Sequence, residues 1–277
     1  MTGDAGWVTV RVAPGARRDD VMAALFHAGA QGIQELGDAL ITHVPDQETA
    51  NGLACAALAV SDDVRVDTEP LPDVDWSEQW KKSIRAQELG ALTVVPPWLA
   101  DGRDLARTIV IEPAMAFGTG EHATTRGVIR LMQKLIRGGE HVADLGAGSA
   151  VLAIAAVKLG AAHAAAIEID PDAIGNAEEN VERNGVRDRV RVIEGNAATL
   201  LPLVAPVDLV LANIISSVLT ELLPVISLAL RDDGHAILSG ILLAEREEMQ
   251  RVLGDGGWRI VDEDSEDAWW SAMIARR

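Results

Sequence analysis

The sequence predicts an α/β protein, in which a doubly wound, mostly parallel, seven-stranded Rossmann-like domain follows a small ferredoxin-like α+β domain. Two observations predict it. Residues 1–70 contain strand-like and helical segments in the order βαββαβ. From Val142 to Asp170, a strand, a glycine turn, a buried helix and a second strand follow one another. The second pattern is typical of a nucleotide-type cofactor site, and 277 residues allow one large or two modest domains.

The amino-terminal pattern assigns residues 1–70 to a separate domain. Its predicted elements are a strand from Trp7 to Val12, a helix from Arg18 to Ala28, strands from Gly32 to Leu36 and Ala39 to Val44, a helix from Gln47 to Val60 and a strand from Val64 to Asp67. This order is that of the ferredoxin-like split unit. Because the segment carries no catalytic-looking group of side chains, we expect a recognition or docking module; a purely structural domain is the alternative.

Prolines and acidic residues mark the end of this domain, and they are Pro70, Pro72, Asp73 and Asp75. After them the sequence predicts a linker helix within residues 71–90, running to about Glu88. Trp76 and Trp80 lie at positions i and i+4 of this helix and therefore on one face. We expect both rings to pack the helix onto a domain, with a substrate contact as the alternative. Residues 91–277 form the predicted catalytic domain.

The segment from Ile109 to Thr125, IVIEPAMAFGTGEHATT, places a glycine-containing loop directly before a helix. Unpaired N–H groups and hydroxyl oxygens at such a helix start suit a ligand carboxylate. The hydroxyl-rich start of this helix is therefore a candidate ligand contact. The alternative is that Thr124 and Thr125 only cap the helix.

Gly146 and Gly148 form the predicted cofactor turn before the helix from Val151 to Leu159. Glu168 follows 22 positions after Gly146, close to the interval of about 20 residues at which a carboxylate meets a ribose hydroxyl. We therefore expect Gly146, Gly148 and Glu168 to bind the cofactor, with Asp170 as the next candidate for the ribose.

The spacing of this turn argues against a dinucleotide. A dinucleotide turn needs glycine or alanine three positions after its second glycine, and Val151 stands there instead. The series Gly146, Gly148 and Ala150 resembles the G-x-G-x-G turn of class I S-adenosylmethionine methyltransferases with its last glycine replaced. A dehydrogenase and an ordinary helix turn in an α/β core are the alternatives.

Two asparagines are predicted at strand ends. A buried strand ends at Asn213, whose amide is expected to point into the ligand crevice at the carboxyl edge of the sheet. There it can accept a hydrogen bond from an amine and donate one to a carboxylate. The alternative is an N-cap for the helix that starts at Ser216. Asn196 follows another strand and is expected to meet the adenine edge, or else is a loop residue.

The composition excludes several classes of function. With 24 basic and 42 acidic residues, the net charge of −18 disfavours nucleic-acid binding and favours a basic partner; a solvated acidic surface is the alternative. Tyrosine is absent and phenylalanine occurs twice, so no aromatic platform for single strands is evident. Cys55 is the single cysteine, and no metal site is expected. Without a signal peptide or a membrane span in the sequence, we expect a cytoplasmic protein.

Several motifs together resemble the ribosomal protein L11 methyltransferase (PrmA) family over nearly the whole chain. They are the tryptophan-bearing linker, EPAMAFGTGEHATT, DLGAGSAVLAIAAVKLGA, IEIDPDAI, NVERNGV, LANI and LSGIL. The resemblance implies S-adenosylmethionine as the cofactor, bound by Thr125, Gly146, Glu168 and Asn213, and substrate recognition by the amino-terminal domain. Two departures matter, because the family usually has aspartate in place of Glu168 and glycine in place of Ala150. We therefore expect the turn at Ala150 to avoid positive φ or to rearrange slightly.

The resemblance implies a protein N-methyltransferase that modifies lysine side chains of the large-subunit ribosomal protein L11, with the N-terminal α-amine as a further candidate. Methyl transfer to an amine needs alignment and no covalent nucleophile, and we assign that alignment to Asn213. His122 is a candidate helper in proton removal, with a histidine that serves the fold as the alternative. Two further functions stay open: a methyltransferase for another protein lysine, and a cofactor-binding assembly factor that transfers nothing. We expect neither nucleic acid nor membrane as a direct partner.

Overall fold

The structure is a computed structural model in which residues 7–70, 84–113 and 120–277 are described. Contacts within the chain divide it into two compact units, residues 1–83 and residues 84–277. The second unit therefore begins earlier than residue 91, the predicted start of the catalytic domain.

The first unit is a four-stranded antiparallel sheet with two helices. Its elements are β1 Val8–Ala13, α1 Arg18–His27, β2 Gln34–Leu36, β3 Ala39–Val44, α2 Gln47–Leu58 and β4 Arg65–Pro70. The strand order is β2-β3-β1-β4, and β1 is antiparallel to both of its neighbours. Val8, Val10 and Val12 share a buried core with Leu25 and Leu53 of the helices, because alternate side chains of a strand point to one face. These elements follow one another in the predicted order βαββαβ.

The second unit is built on a seven-stranded sheet. Its strands and α-helices are β5 Gln87–Leu89, β6 Leu92–Val95, β7 Thr108–Val110, α3 Ala123–Met132, β8 His141–Leu145, α4 Val151–Leu159, β9 His163–Glu168, α5 Pro171–Arg183, β10 Val190–Glu194, α6 Ala197–Val204, β11 Val207–Asn213, α7 Ser216–Ala229, β12 Leu230–Leu242, α8 Arg246–Asp255, β13 Trp258–Glu266 and β14 Trp269–Arg276. The order is β10-β9-β8-β11-β12-β14-β13, in which β14 is antiparallel to both of its neighbours and the pairings from β10 to β12 are parallel. The predicted mostly parallel, seven-stranded sheet is thereby confirmed.

Both faces of this sheet are buried. Along β11, Leu209 and Leu211 belong to the core on one face, whereas Val210 and Ala212 belong to the core on the other. A strand that is covered on both faces is a continuous apolar run, which is why this part of the sequence shows no alternation. Helix α4 packs into the first core and helix α7 into the second.

A ladder of ion pairs ties helix α3 and the turn after it to the edge strand β13. The pairs are Arg126–Glu266 at 2.5 Å, Arg130–Asp264 at 2.5 Å and Lys134–Asp262 at 2.7 Å. The cations are four residues apart on a helical stretch and the acids two residues apart on a strand. Four helical residues rise about 6 Å and two strand residues about 6.7 Å, so the two spacings match. The ladder therefore fixes the register of the helix that carries Thr124 and Thr125.

The linker helix predicted to reach Glu88 differs from the structure at its carboxyl end, because Gln87–Leu89 is strand β5, antiparallel to β6. Gln133 secures this hairpin: its Nε2 donates to Leu89 O at 2.9 Å, and its Oε1 accepts from Ala91 N at 2.7 Å. These tertiary hydrogen bonds outweigh the local helical pattern. The predicted Trp76 and Trp80 contacts lie outside the described residues.

Within residues 7–70, 84–113 and 120–277, no helix combines the length and the apolar character needed to cross a membrane. Groups of three or more His, Cys, Asp or Glu side chains placed to hold a metal ion are also absent from these ranges. Cys55 is exposed and free.

Candidate functional site

The carboxyl ends of β8, β9 and β11 open into a cavity of about 770 Å³. Its size falls within the range of roughly 300–1,000 Å³ typical of small-molecule sites, and doubly wound sheets bind ligands at this edge. Seven of the eight residues predicted from the sequence line it: His122, Thr125, Gly146, Gly148, Glu168, Asp170 and Asn213. The eighth predicted residue, Asn196, is not among the lining residues that the structure describes.

A second cavity, of about 550 Å³, lies at the amino ends of the parallel strands, where His141 and His163 begin β8 and β9. None of the eight predicted residues is among its described lining residues. Because ligands of doubly wound sheets bind outside the carboxyl ends of the strands, the cavity at that edge is the candidate site.

The turn between β8 and α4 needs glycine for two separate reasons. Gly146 has φ +68° and Gly148 has φ +51°, a left-handed conformation that disfavours side chains. A Cβ at Gly146 would also lie 2.5 Å from Ile214 Cγ2. The N–H groups of Gly146 and Ala147 both donate to Ile167 O, at 2.9 and 3.1 Å. The turn is therefore tied to the end of β9.

Ala150 corrects one expectation. The sequence predicts a turn that avoids positive φ at this position or rearranges, but Ala150 has φ +63° and ψ +18°. Left-handed backbone costs an alanine about 1–2 kcal/mol. Ala150 N donates to Ala147 O at 2.8 Å and Ala150 O accepts from Ile154 N at 2.9 Å, and the methyl group is fully buried. The prediction is wrong because these hydrogen bonds keep the backbone in the conformation that a glycine would adopt.

The carboxylate of Glu168 is buried at the end of β9 and held by three backbone N–H groups. Its Oε2 accepts from Gly148 N at 2.8 Å. Its Oε1 accepts from Ile169 N at 2.8 Å and from Asp170 N at 2.9 Å. Since a carboxylate offers about four acceptor positions, about one is left for a ligand donor. A negative charge is thereby fixed directly at the glycine turn.

Asp170 and Asn196 both cap helices. Asp170 Oδ1 accepts from Asp172 N at 3.0 Å at the start of α5, and Asn196 Oδ1 accepts from Ala198 N at 2.8 Å at the start of α6. Asp170 nevertheless lines the cavity, whereas Asn196 is not among the described lining residues. Capping accounts for Asn196 without any ligand.

Asn213 and Thr125 come from different elements and meet in the cavity. Asn213 Nδ2 donates to Thr125 Oγ1 at 3.5 Å, a long hydrogen bond. Thr125 is fully buried in the first turn of α3, and Asn213 is half-buried at the end of β11. Helix α7 begins at Ser216 with Ile215 as its N-cap, so Asn213 does not cap it. The amide of Asn213 is therefore part of the cavity and has no capping role in that helix.

His122 is the N-cap of α3. Its Nδ1 accepts from Thr124 N at 3.4 Å and lies 2.7 Å from Thr124 Oγ1, and its ring meets the Trp269 ring edge-on at 5.0 Å between centroids. Burial, followed by the positive charge of Arg126, lowers the pKa of His122. A neutral imidazole that accepts hydrogen bonds at Nδ1 thus serves the fold at this position.

Carboxylates dominate the charge of the cavity. Glu168 and Asp170 line it, and its described lining contains no Lys or Arg. Behind the turn, Asp144 on β8 is fully buried; its Oδ2 accepts from Ala153 N at 3.0 Å, and its Oδ1 has no partner among the described residues. Burial, with a smaller contribution from the like charge of Glu168, raises the pKa of Asp144 to about 7. This charge pattern favours a cationic ligand over an anionic one.

Three asparagines with no predicted role hold the segment after β7. They are Asn176, Asn180 and Asn184, spaced by four residues and therefore on one face of α5 and its carboxyl end. Asn180 Oδ1 accepts from Glu112 N at 2.9 Å, and Asn184 Oδ1 accepts from Val110 N at 2.9 Å. The N-x-x-x-N-x-x-x-N repeat is the sequence signal that identifies them.

Known proteins match both the sequence and the fold. The family model for ribosomal protein L11 methyltransferase (PrmA) matches residues 12–277. A ribosomal protein L11 methyltransferase of Desulforamulus reducens is 37% identical over 232 residues, which is 82% of this chain and 72% of the relative. One of Thermus thermophilus is 39% identical over 202 residues, 73% of this chain and 77% of the relative.

Among solved structures, a ribosomal protein L11 methylase from Lactobacillus delbrueckii subsp. bulgaricus is 30% identical, with a TM-score of 0.63. The match covers 70% of this chain and 100% of that chain. The resemblance of the motifs, the seven-stranded sheet and these matches agree. The chain belongs to the ribosomal protein L11 methyltransferase (PrmA) family.

Proposed function

We propose that the chain binds S-adenosylmethionine in the cavity at the carboxyl ends of β8, β9 and β11 and methylates amino groups of ribosomal protein L11. One observation supports this choice of cofactor. Glu168 and Asp170 line the cavity, and no Lys or Arg is among the lining residues that the structure describes. S-adenosylmethionine carries a positive sulfonium and an ammonium group, whereas nicotinamide dinucleotide carries an anionic pyrophosphate. The negative cavity therefore supports the first ligand.

The glycine turn supports the same choice. In a dinucleotide site, N–H groups of the turn and of the helix start bind the phosphates. Here the Gly148 N–H donates to the buried carboxylate of Glu168. A phosphate at this turn would meet a like charge in a medium of low dielectric constant, where repulsion is strong.

Four side chains are proposed to hold the cofactor. Glu168 is assigned to a ribose hydroxyl, with Asp170 beside it, because three N–H groups fix the acceptor atoms of Glu168 before a ligand arrives and leave about one acceptor position open. Thr125 and Asn213 are assigned to the amino-acid end, since an amide and a hydroxyl both donate and accept. When bound, S-adenosylmethionine supplies an electrophilic methyl group.

The chain's own contribution is alignment. A reacting amine must approach in one direction, and fixing that direction lowers the barrier by several kcal/mol. Asn213 and Thr125 are fixed by a strand and a helix of the same core, which limits their movement. We assign His122 to the start of α3 and not to proton removal, because its Nδ1 is already hydrogen-bonded to Thr124. The amine proton then leaves to solvent.

The substrate proposal rests on the names of the relatives and on charge. Ribosomal proteins that bind RNA are basic, and this chain carries a net charge of −18. We infer that residues 1–70 recognise the substrate, because their described part, residues 7–70, has a hydrophobic core of its own and supplies none of the described residues that line the cavity. Lysine side chains are the proposed acceptors, and the N-terminal α-amine is a further one.

Incubation of the pure protein with methyl-labelled S-adenosylmethionine and separately purified large-subunit proteins tests this function. We expect label on L11, and much slower labelling by Asn213→Ala. Label on another protein instead would identify a methyltransferase for a different protein lysine. Cofactor binding without any labelling would identify an assembly factor that transfers nothing.

A further inference from the structure

Asn180 on α5 is fully buried, and each of its hydrogen-bonding positions has a partner. Its Oδ1 accepts from Glu112 N at 2.9 Å and from Arg183 Nη1 at 3.1 Å. Its Nδ2 donates to Ser149 O at 3.2 Å and to Asn176 Oδ1 at 3.3 Å. A side-chain amide has two donor hydrogens and two acceptor lone pairs, so these four hydrogen bonds use its whole hydrogen-bonding capacity. Exchanging its nitrogen and oxygen would mismatch the backbone groups of Glu112 and Ser149, which fixes its orientation.

Two of these partners come from distant parts of the chain. Ser149 lies in the cofactor turn, between the left-handed residues Gly148 and Ala150. Glu112 lies in the segment that follows β7. The side chain of Asn180 thus joins the turn to that segment, although Asn180 itself is not among the described residues that line the cavity.

The turn needs such support because one of its residues is in an unfavourable conformation. Ala150 is left-handed, a conformation that is unfavourable for alanine, and the surrounding structure must hold it there. The hydrogen bond from Asn180 fixes the peptide group immediately before Ala150. Losing this bond gives the turn freedom to relax away from the geometry that carries Gly148 N–H to Glu168.

Asn184 makes a comparable pair of bonds to Val110, the last residue of β7, two positions before Glu112. Its Oδ1 accepts from Val110 N at 2.9 Å, and its Nδ2 donates to Val110 O at 2.7 Å. Within the described part of the chain, its hydrogen bonds do not reach the cofactor turn. Asn184 is therefore a matched control, which has the same residue type, lies one helical turn after Asn180 and binds the backbone two positions before Glu112.

We propose that Asn180 is a positioning residue for the cofactor site, which couples the turn at Ser149 to the segment at Glu112. This inference rests on the proposed binding of S-adenosylmethionine at the turn. Asn180 acts through the backbone of Ser149 and makes no contact with the ligand. Cofactor binding and the order of the Glu112 backbone consequently change together.

Calorimetric binding of S-adenosylmethionine to Asn180→Ala and Asn184→Ala is the first test, at a temperature where circular dichroism shows both variants folded. We expect the Kd to rise about tenfold in Asn180→Ala, which corresponds to about 1.4 kcal/mol. In Asn184→Ala it should stay within about twofold of wild type, although both variants lose thermal stability. Wild-type affinity in folded Asn180→Ala would overturn the positioning role, because a purely structural role affects only stability.

Amide hydrogen exchange in the wild-type protein gives a second test that needs no variant. Adding S-adenosylmethionine should slow the exchange of the Glu112 amide severalfold, because ordering the turn orders its partner. Unchanged exchange at Glu112 with cofactor bound would contradict the coupling. A wild-type protein that binds no S-adenosylmethionine would instead contradict the proposed function, so the two failures are distinguishable.

Discussion

Two neighbouring parallel strands end in buried carboxylates that are hydrogen-bonded in different ways. Asp144 on β8 is 0% exposed and accepts one N–H, from Ala153. Glu168 on β9 is 7% exposed and accepts three. The two groups are both buried near the carboxyl ends of their strands, with Glu168 two residues further along the sheet than Asp144, and they differ in the number of donors that face them.

This difference supports the proposal that Glu168, and not Asp144, is the carboxylate that binds a ligand. Burial raises the pKa of Asp144 to about 7, and its Oδ1 has no partner within the described part of the chain, so its charged form is poorly supported. Glu168 lines the cavity with its charge held by backbone N–H groups. Asp144 lies behind the turn and supports its structure. The backbone donors around Glu168 therefore support its charged form, which the surroundings of Asp144 do not.

The largest effect is expected at a third strand end, where β11 closes with the neutral amide of Asn213. Asn213→Asp keeps the shape, removes two N–H donors and adds a third carboxylate to the cavity. We expect kcat to fall about 10²-fold, together with cofactor affinity. Asn196→Asp is the control: aspartate caps helices as well as asparagine, so its kcat and Kd should remain at wild type. Wild-type kcat and Kd in Asn213→Asp would contradict the role of the amide.

Glu168→Ala should weaken binding of S-adenosylmethionine by about 1–3 kcal/mol, because a ribose hydroxyl loses a charged acceptor and Gly148 N–H loses its partner. Glu168→Asp, which restores the residue usual in the family, should stay close to wild type. Calorimetry with both variants measures the difference. If Glu168→Ala binds as tightly as wild type, the ribose partner is another residue, and Asp170 is the next to substitute.

The pH dependence of unfolding tests the other carboxylate. The folded-state pKa of Asp144 is raised from 3.8 to about 7, so between these values the folded protein holds a proton that the unfolded chain has lost. Stability from this group is therefore present at low pH and is lost as pH rises towards 7, by up to about 1.4 kcal/mol per pH unit. Asp144→Asn should remove this slope from the free energy of unfolding.

Glu168→Gln gives a second test in the same measurement of unfolding free energy against pH. Removing the like charge should lower the folded-state pKa of Asp144, because that charge is one cause of its rise, and the loss of stability should therefore end at a lower pH. A wild-type slope in Asp144→Asn would contradict the account of this buried carboxylate.

The smallest effect is expected in the turn that joins the two strand ends. Ala150 is left-handed and Ala147, which is also buried in the same turn, is not. Both substitutions to glycine remove one buried methyl group and add the same freedom to the unfolded chain. Chemical unfolding should find Ala150→Gly more stable than Ala147→Gly by about 1 kcal/mol. Equal stabilities would show that Ala150 is not strained.

The strand ends were predictable from sequence because parallel strands place their carboxyl ends at one edge of a sheet. Asn213 and Glu168 are far apart in the chain, yet two strand patterns and one glycine turn suffice to place them at one cavity. Residues that depend on non-local hydrogen bonds were not predictable, and Asn180, which binds Glu112 N and Ser149 O, is an example. Asn196 differs, because its side chain caps the next helix through a local hydrogen bond from Ala198 N.

Backbone conformation was the second feature that the sequence did not predict. An alanine normally adopts negative φ, and the hydrogen bonds that hold Ala150 left-handed are visible only in the folded turn. Gln87–Leu89 was expected to be helical, but pairing with β6 and the side chain of Gln133 make it a strand. The asparagine repeat on α5 is present in the sequence, and its meaning depends on the segment that packs beside it.

Calorimetric titration of the full chain with S-adenosylmethionine and, separately, with NAD tests the central claim most directly. The claim is that the cavity at the glycine turn, which is lined by Glu168 and Asp170 and by no Lys or Arg among its described residues, takes a cationic cofactor and not a pyrophosphate. We expect S-adenosylmethionine to bind at one site per chain and NAD to give no binding heat. Binding of NAD to the wild-type protein, with no binding of S-adenosylmethionine, would contradict the account.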